Sequence, residues 1–204
     1  MKIGIAVTTT PNREKVFNQW YEYYSEKCPE LPLYMEFDET YKGVAKSKNK
    51  CLSALYDVGC DHFFLFDDDV FIIKENWYEK YISSGLNHAC WNVDRKFISL
   101  TQNYVEYETP NGCMLYCTRN VLDVVGGWDT QFKGYGYDHV NWSDRIFNAG
   151  LTPARYIDVR DSKGLFRLAN CESSISAEIR AKTIPINKKL WKEKFNSKEY
   201  KPFK

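Results

Sequence analysis

The sequence predicts an α/β fold, a mostly parallel mixed sheet flanked by helices in a single domain. Three observations predict it. Short apolar runs alternate with helical patterns from Ile3 to Phe66, the first run is small or apolar on both faces, and no linker rich in Pro, Gly or Ser divides the chain. At 204 residues the chain is long enough to bury one sizeable core.

Each element follows from its pattern. Lys2–Thr8 alternates Ile3, Ile5 and Val7 with Gly4 and Ala6, as an interior parallel strand does. The polar loop Thr8–Arg13 offers a capping threonine and puts Pro11 at a first helical position, after which Val16, Phe17, Trp20, Tyr21 and Tyr24 recur at helical spacing. Leu33–Phe37 reads as a second strand. Val44, Cys51, Leu52 and Leu55 form the apolar stripe of a second helix, and His62–Phe66 is a third strand. Beyond residue 70 the pieces shorten. Trp77–Ser83 reads as helical, Phe97–Tyr107 and Met114–Thr118 as extended, and Arg119–Val125 as a short helix stopped by Gly126 and Gly127. Asp138–Ala149 carries Trp142, Ile146 and Phe147 on one helical face with Gly150 just past its end, and Ala154–Val159 follows as a strand.

Composition excludes several classes. With 44% apolar residues the chain buries too much to be disordered. Lys+Arg at 28 against Asp+Glu at 27 leaves a net charge of +1, so no global field selects a polyanion. That balance hides an asymmetry, because Lys188–Lys204 holds seven lysines and two glutamates. No window reaches the roughly 18 apolar residues a membrane span needs, and Met1-Lys2 runs into Ile3–Val7 without a small-residue cleavage site. A soluble, cytoplasmic protein is expected. The seven cysteines include no C-x-x-C, so they are expected as reduced, mostly buried thiols.

Two constellations carry chemistry. In Phe63-Phe64-Leu65-Phe66-Asp67-Asp68-Asp69 an apolar strand stops at three carboxylates, at the strand end where ligand crevices of open α/β sheets lie. Adjacent carboxylates repel one another, and their hard oxygens suit Mg²⁺ or Mn²⁺ together with substrate phosphate; the plainer reading is a solvated acidic turn. The second constellation runs from Gly126-Gly127-Trp128-Asp129 through Gly134-Tyr135-Gly136-Tyr137-Asp138-His139 to Arg145. Its glycines permit close backbone approach, its aromatics offer faces for sugar rings, and Asp138 beside His139 puts a potential base next to a potential metal ligand at a helix start. A glycine-rich aromatic turn with an aspartate N-cap is the alternative.

The order of these motifs resembles the family 2 type of GT-A fold, nucleotide-sugar glycosyltransferases. Ile3–Val7 with Thr8–Arg13 is similar to that family's first strand and nucleotide loop. Gly43-Val44-Ala45-Lys46-Ser47-Lys48-Asn49 is similar to the segment opening its second helix, Asp67-Asp68-Asp69 matches its Asp-x-Asp motif, and Gly126–Arg145 resembles its acceptor block. The resemblance spans roughly residues 3 to 150 and implies a Rossmann-like GT-A sheet. It also implies an inverting, metal-dependent transfer of a sugar from a nucleotide-diphosphate sugar, UDP-sugar favoured, to a hydroxyl acceptor: a glycan, a lipid-linked acceptor or a modified nucleobase.

Carried over, the resemblance puts Thr8, Thr9 and Arg13 at the base and ribose, with Lys46 or Lys48 near the diphosphate. Asp67 and Asp68 fall on the donor, Asp69 and Asp67 on a Mn²⁺ or Mg²⁺ ion, and Gly127, Trp128, Asp129 and Tyr135 around the acceptor. Where the family commonly reads Glu-Asp-x-Asp, this chain has Asp138-His139-Val140-Asn141. Asp138 is then the candidate general base, with His139 sharing that role, orienting the acceptor or joining the metal. The catalytic domain is expected over 1–187 and a basic tail over 188–204, which suits an anionic acceptor or surface, DNA or a membrane periphery. Two other classes compete. A sugar-1-phosphate nucleotidyltransferase would want a glycine-rich loop after the first strand, which Thr8–Arg13 lacks, and a catalytically silent nucleotide- or carbohydrate-binding module would tolerate the lost carboxylates.

Overall fold

Five strands form the central sheet in the order β2-β1-β3-β8-β5. They are β1 (Ile3–Thr9), β2 (Leu33–Phe37), β3 (His62–Asp67), β5 (His88–Cys90) and β8 (Met114–Thr118) in the computed structural model, which describes residues 1–39, 43–169 and 175–204. β1 pairs in parallel with both β2 and β3, while β8 runs antiparallel between β3 and β5. The sheet is therefore mostly parallel. Helices α1 (Glu14–Lys27), α2 (Val44–Asp57), α3 (Trp77–Ser83), α4 (Arg119–Val125) and α5 (Asp138–Asn148) cover it.

The period-two alternation of β3 divides the core. Phe64 and Phe66 pack with Trp20 of α1 and Trp77 of α3 on one face, and Phe63 and Leu65 pack with Leu52, Trp128 and Trp142 on the other. Both faces are dry, which is why β3 reads as an unbroken apolar run. The six described cysteines are free and buried; Cys171 lies outside the described residues.

Two small sheets complete the chain: β4 (Val70–Ile72) with β10 (Phe166–Leu168), and the antiparallel set β6 (Phe97–Leu100), β7 (Tyr104–Tyr107) and β9 (Ile157–Val159). The expected extended piece Phe97–Tyr107 is thus a hairpin. Its turn forms because Thr101 Oγ1 accepts from the backbone N–H of Asn103 and Tyr104 at 3.3 and 3.0 Å. The strand expected over Ala154–Val159 is regular only over Ile157–Val159. β4, β5 and β10 hold three residues each, too few to show a periodicity.

The expected boundary at 187/188 falls inside a continuous helix, α6 (Ala177–Lys194). Past α6 the chain returns to the body: Lys201 bridges to Gly126, Phe203 is buried in the second core, and Lys204 pairs with Asp57. No described helix is long and apolar enough to cross a membrane.

Candidate active site

Parallel register brings the carboxyl ends of β1 and β3 together, with Thr8 opposite Asp67. A cavity of about 680 Å³ opens there, and the start of α5 and the first turns of α6 also line it. Thr8, Thr9, Arg13, Lys48, Asp67, Asp68, Asp69, Trp128, Tyr135, Asp138 and His139 all contribute to its wall. Lys46, Gly127 and Asp129 do not.

The three consecutive aspartates have three different environments. Asp68 is 3% exposed and turned inward, where Arg13 Nε donates to Oδ1 and Oδ2 at 2.8 and 3.0 Å and Thr9 Oγ1 also donates. Two side chains expected on the nucleotide therefore hold the acidic cluster together. Asp67 is met by Lys48, whose Nζ lies 2.8 Å from Oδ1 and donates to the Phe66 carbonyl at 2.8 Å. Lys48 is 1% exposed, so its cation serves the loop from below. Asp69 accepts from Arg13 Nη2 at 3.1 Å. Burial raises its carboxyl to about 6, the neighbouring Asp67 charge adding to the rise against Arg13.

Asp69 and Asp67 offer hard oxygen donors suited to Mg²⁺ or Mn²⁺. Among the described residues no group of three or more His, Cys, Asp or Glu side chains gathers round one point. The chain supplies a partial carboxylate shell, which fits a cation that keeps waters and takes phosphate oxygens. His139 does not join Asp67 and Asp69 in such a group.

Asp138 and His139 begin α5 beneath the glycine turn. His139 lies against Gly112, where a Cβ would stand 2.8 Å from the ring, so only glycine admits the imidazole here. His139 Nδ1 lies 3.5 Å from Asp138 Oδ1. Burial pushes the Asp138 carboxyl upward, but the hydrogen bond and charge of His139 outweigh it and hold the group below its ordinary value. Asp138 Oδ2 is buried without a hydrogen-bond partner among the described residues, and so is Trp128 Nε1. Both belong to residues of the cavity wall. Ser47, a third wall residue, likewise has a buried Oγ without a partner among the described residues.

The rest of the glycine-tryptophan block, Gly127 and Asp129, is buried away from the cavity. Asn49 receives Trp128 N–H at 2.8 Å and donates to its carbonyl at 3.0 Å, while Trp128 stacks on Trp142 with ring centroids 4.0 Å apart. Gly127 packs where a Cβ would overlap Asn49 Oδ1, and Asp129 is held by Lys194 at 2.5 Å and Lys201 at 3.5 Å. These placements follow from burial; neither residue faces the cavity. Lys46 points to solvent. Sequence reasoning passed over Ser47, Asp38, Arg95, Asn111, Gly112 and Arg180, which also line the cavity. Ser47 was legible in principle, since it sits inside the Gly43–Asn49 motif; Arg95 and Arg180 reach the cavity only through tertiary folding.

This sheet, with an acidic strand end and a glycine-aromatic helix start on one cavity, is the GT-A glycosyltransferase fold. Among solved structures the chain is similar to β1,4-galactosyltransferase 7 of Drosophila in a complex with manganese, UDP-Gal and xylobiose. Identity is 14%, coverage 90% of this chain and 81% of that one, and the TM-score 0.56. It is similar to TarS of S. aureus at 14% identity, covering 92% of this chain and 39% of that one, with a TM-score of 0.58. A glycosyltransferase involved in glycosylation of the major capsid of PBCV-1 shares 14% identity over 93% of this chain and 100% of its own, with a TM-score of 0.50. No family model matches. In sequence the chain is 27% identical over 169 residues to an uncharacterised glycosyltransferase of Acanthamoeba polyphaga mimivirus, covering 75% of this chain and 65% of that relative's length.

Proposed function

We propose that the chain is a metal-dependent, inverting glycosyltransferase that moves a sugar from a nucleotide-diphosphate sugar to a hydroxyl acceptor. The observation that carries this reading is Asp138, which lines the cavity that also holds the Asp67–Asp69 strand end and whose buried Oδ2 has no partner among the described residues. A carboxylate with one oxygen still free to accept is a place where an acceptor O–H can bond and lose its proton.

The acceptor oxygen attacks the anomeric carbon, its proton passes to the Asp138–His139 pair, and the bond from that carbon to the diphosphate oxygen breaks. The nucleoside diphosphate leaves with the bonding electrons. Asp69 and Asp67 would hold a divalent cation, which when bound would supply positive charge for the diphosphate. Thr8 and Thr9 at the end of β1 border the donor, while Arg13 and Lys48 keep the acidic turn in shape by neutralising Asp68 and Asp67. Trp128 Nε1 and Tyr135 supply a donor and a half-exposed ring for the acceptor sugar. UDP-sugar is the favoured donor, in keeping with the UDP-Gal in the complex of the Drosophila enzyme.

The test is release of nucleoside diphosphate from a panel of UDP-, GDP- and dTDP-sugars with Mn²⁺. Asp138→Asn is expected to leave donor affinity nearly intact and to cut turnover by about 10²-fold or more. Pyrophosphate chemistry would instead identify a nucleotidyltransferase, and donor binding with no turnover a silent module. If only His139→Ala abolishes turnover, the proton goes to the imidazole.

A further inference from the structure

A second cleft, of about 610 Å³, lies beside the first over the sheet β6-β7-β9. Its floor is apolar, built from Phe97, Leu100, Val105 and Tyr107. In a regular strand residues 97 and 100 face opposite sides; the register shift between Phe97 and Ser99 lets both line the cleft. Phe97 and Leu100 are left 56% and 55% exposed, an uncovered apolar floor. The rim is polar and of mixed sign, with Arg95, Arg160 and Lys163 against Asp94 and Asp161.

The two cavities share a wall. Arg95 lines both, and its Nη2 donates to Asn111 Oδ1 at 3.3 Å. Asn92, also in the second cleft, accepts from the Asn111 backbone N–H at 2.7 Å. Asn111 and Gly112 in turn line the first cavity, where Gly112 seats His139. The second cleft therefore adjoins the side of the first cavity that carries the proposed base.

We propose that this cleft is a distal acceptor subsite for an extended, uncharged oligosaccharide whose terminal hydroxyl reaches Asp138 and His139. The proposal rests on the glycosyl-transfer reading. A pyranose has one face of C–H groups and a rim of hydroxyls that both donate and accept; an apolar floor with a ring inside a mixed-sign polar rim matches it. Near-cancelling rim charges do not suit a polyanion, whose binding needs an excess of cations.

The full chain, loaded with UDP and Mn²⁺, is titrated by calorimetry with di- to hexasaccharides of β1,4-linked xylose, β1,4-linked galactose, α1,4-linked glucose and β1,4-linked N-acetylglucosamine. At least one series is expected to bind tenfold or more tightly as hexasaccharide than as disaccharide. Phe97→Ala and Arg160→Ala should each remove that gain and leave disaccharide and UDP binding unchanged. Both side chains are exposed, so neither variant endangers the fold, and UDP binding verifies it. Absence of a length effect in every series, or a length effect untouched by both variants, overturns the subsite. So does a dimer of the wild-type chain that Phe97→Ala dissociates, since a second copy would then cover the floor. Nucleoside diphosphate release, measured in parallel, reports on the transfer reading separately: loss of release in the wild type with retained length-dependent binding rejects the enzyme and keeps the subsite.

Discussion

Asp68 stands at the centre of an acidic triplet and is the member least available to a ligand. Arg13 and Thr9 satisfy it from inside the protein, so part of the repulsion among three adjacent carboxylates is offset before any cation binds, while burial and the charges of Asp67 and Asp68 still raise the Asp69 carboxyl. Removing Arg13 leaves a buried carboxylate uncompensated. Arg13→Ala is expected to destabilise the chain by about 3–5 kcal/mol in urea denaturation, well beyond a surface salt bridge. Asp69 is placed differently, with part of its side chain open, and Asp69→Ala should abolish Mn²⁺-dependent binding of UDP while leaving the unfolding midpoint near that of the wild type.

His88 shows the opposite use of burial. Its Nδ1 faces the Tyr116 carbonyl at 2.7 Å and its Nε2 the Ser143 hydroxyl at 2.9 Å, an arrangement for a neutral ring donating through Nδ1. Burial lowers its pKa from 6.5 to about 4. The unfolded chain therefore binds the proton more readily, and stability from this group is present above pH 6.5 and lost as pH falls towards 4. Between pH 7 and 4.5 the wild type should lose about 2 kcal/mol more than His88→Gln, read from denaturation midpoints at the two pH values.

At the scale of elements, the glycine-tryptophan block is organised by helices on both sides. α2 contributes Asn49, which brackets Trp128; α5 contributes Arg145, which reaches the carbonyls of Val125 and Gly127; α6 contributes Lys194 to Asp129. Gly127 is where these meet. A Cβ there would overlap Asn49 Oδ1 and stand 2.6 Å from Phe203 Cβ. Gly127→Ala should therefore cost about 1–3 kcal/mol of stability by overpacking, and activity should fall through displacement of Trp128. Thermal unfolding together with nucleoside diphosphate release checks both. The motif Gly126–Asp129 looked like a ligand surface because glycine, tryptophan and aspartate serve ligand sites and crowded cores alike.

At the scale of the molecule, the C-terminal lysines divide by partner. Lys194 and Lys201 hold Asp129, Lys204 holds Asp57, and Lys188, Lys189 and Lys192 remain exposed on α6. Deleting 195–204 removes Phe203 from the second core together with the Lys201 contacts, an expected loss of about 3 kcal/mol or more and a Tm lower on the order of 10 °C. Replacing Lys188, Lys189 and Lys192 by glutamine should move Tm by no more than about 2 °C, since exposed charges contribute little. Differential scanning calorimetry separates the two outcomes. The excess of positive charge in this stretch is thus partly consumed in docking it.

Much of the architecture was legible because it is written locally. The strand β2 and the helices α3 and α4 appear in the sequence with their observed limits, and β1, β3, α1, α2 and α5 are marked by an apolar period that one short window contains. Three-residue strands such as β5, and α6 with its internal Pro185 and weak apolar face, carry no such mark. The site divides in the same way. That an acidic turn follows β3 and that Asp138 and His139 open α5 are properties of neighbouring residues, so the sequence by itself determined them. Which aspartate faces inward, that Lys48 lies beneath the turn while Lys46 faces water, that Asp129 is bound by lysines more than sixty residues away, and that Arg95 joins two clefts were decided only by tertiary structure. The physical reason is that a charged or polar side chain takes its role from the partner that neutralises it and from the water it loses. Both are set by residues distant in the chain.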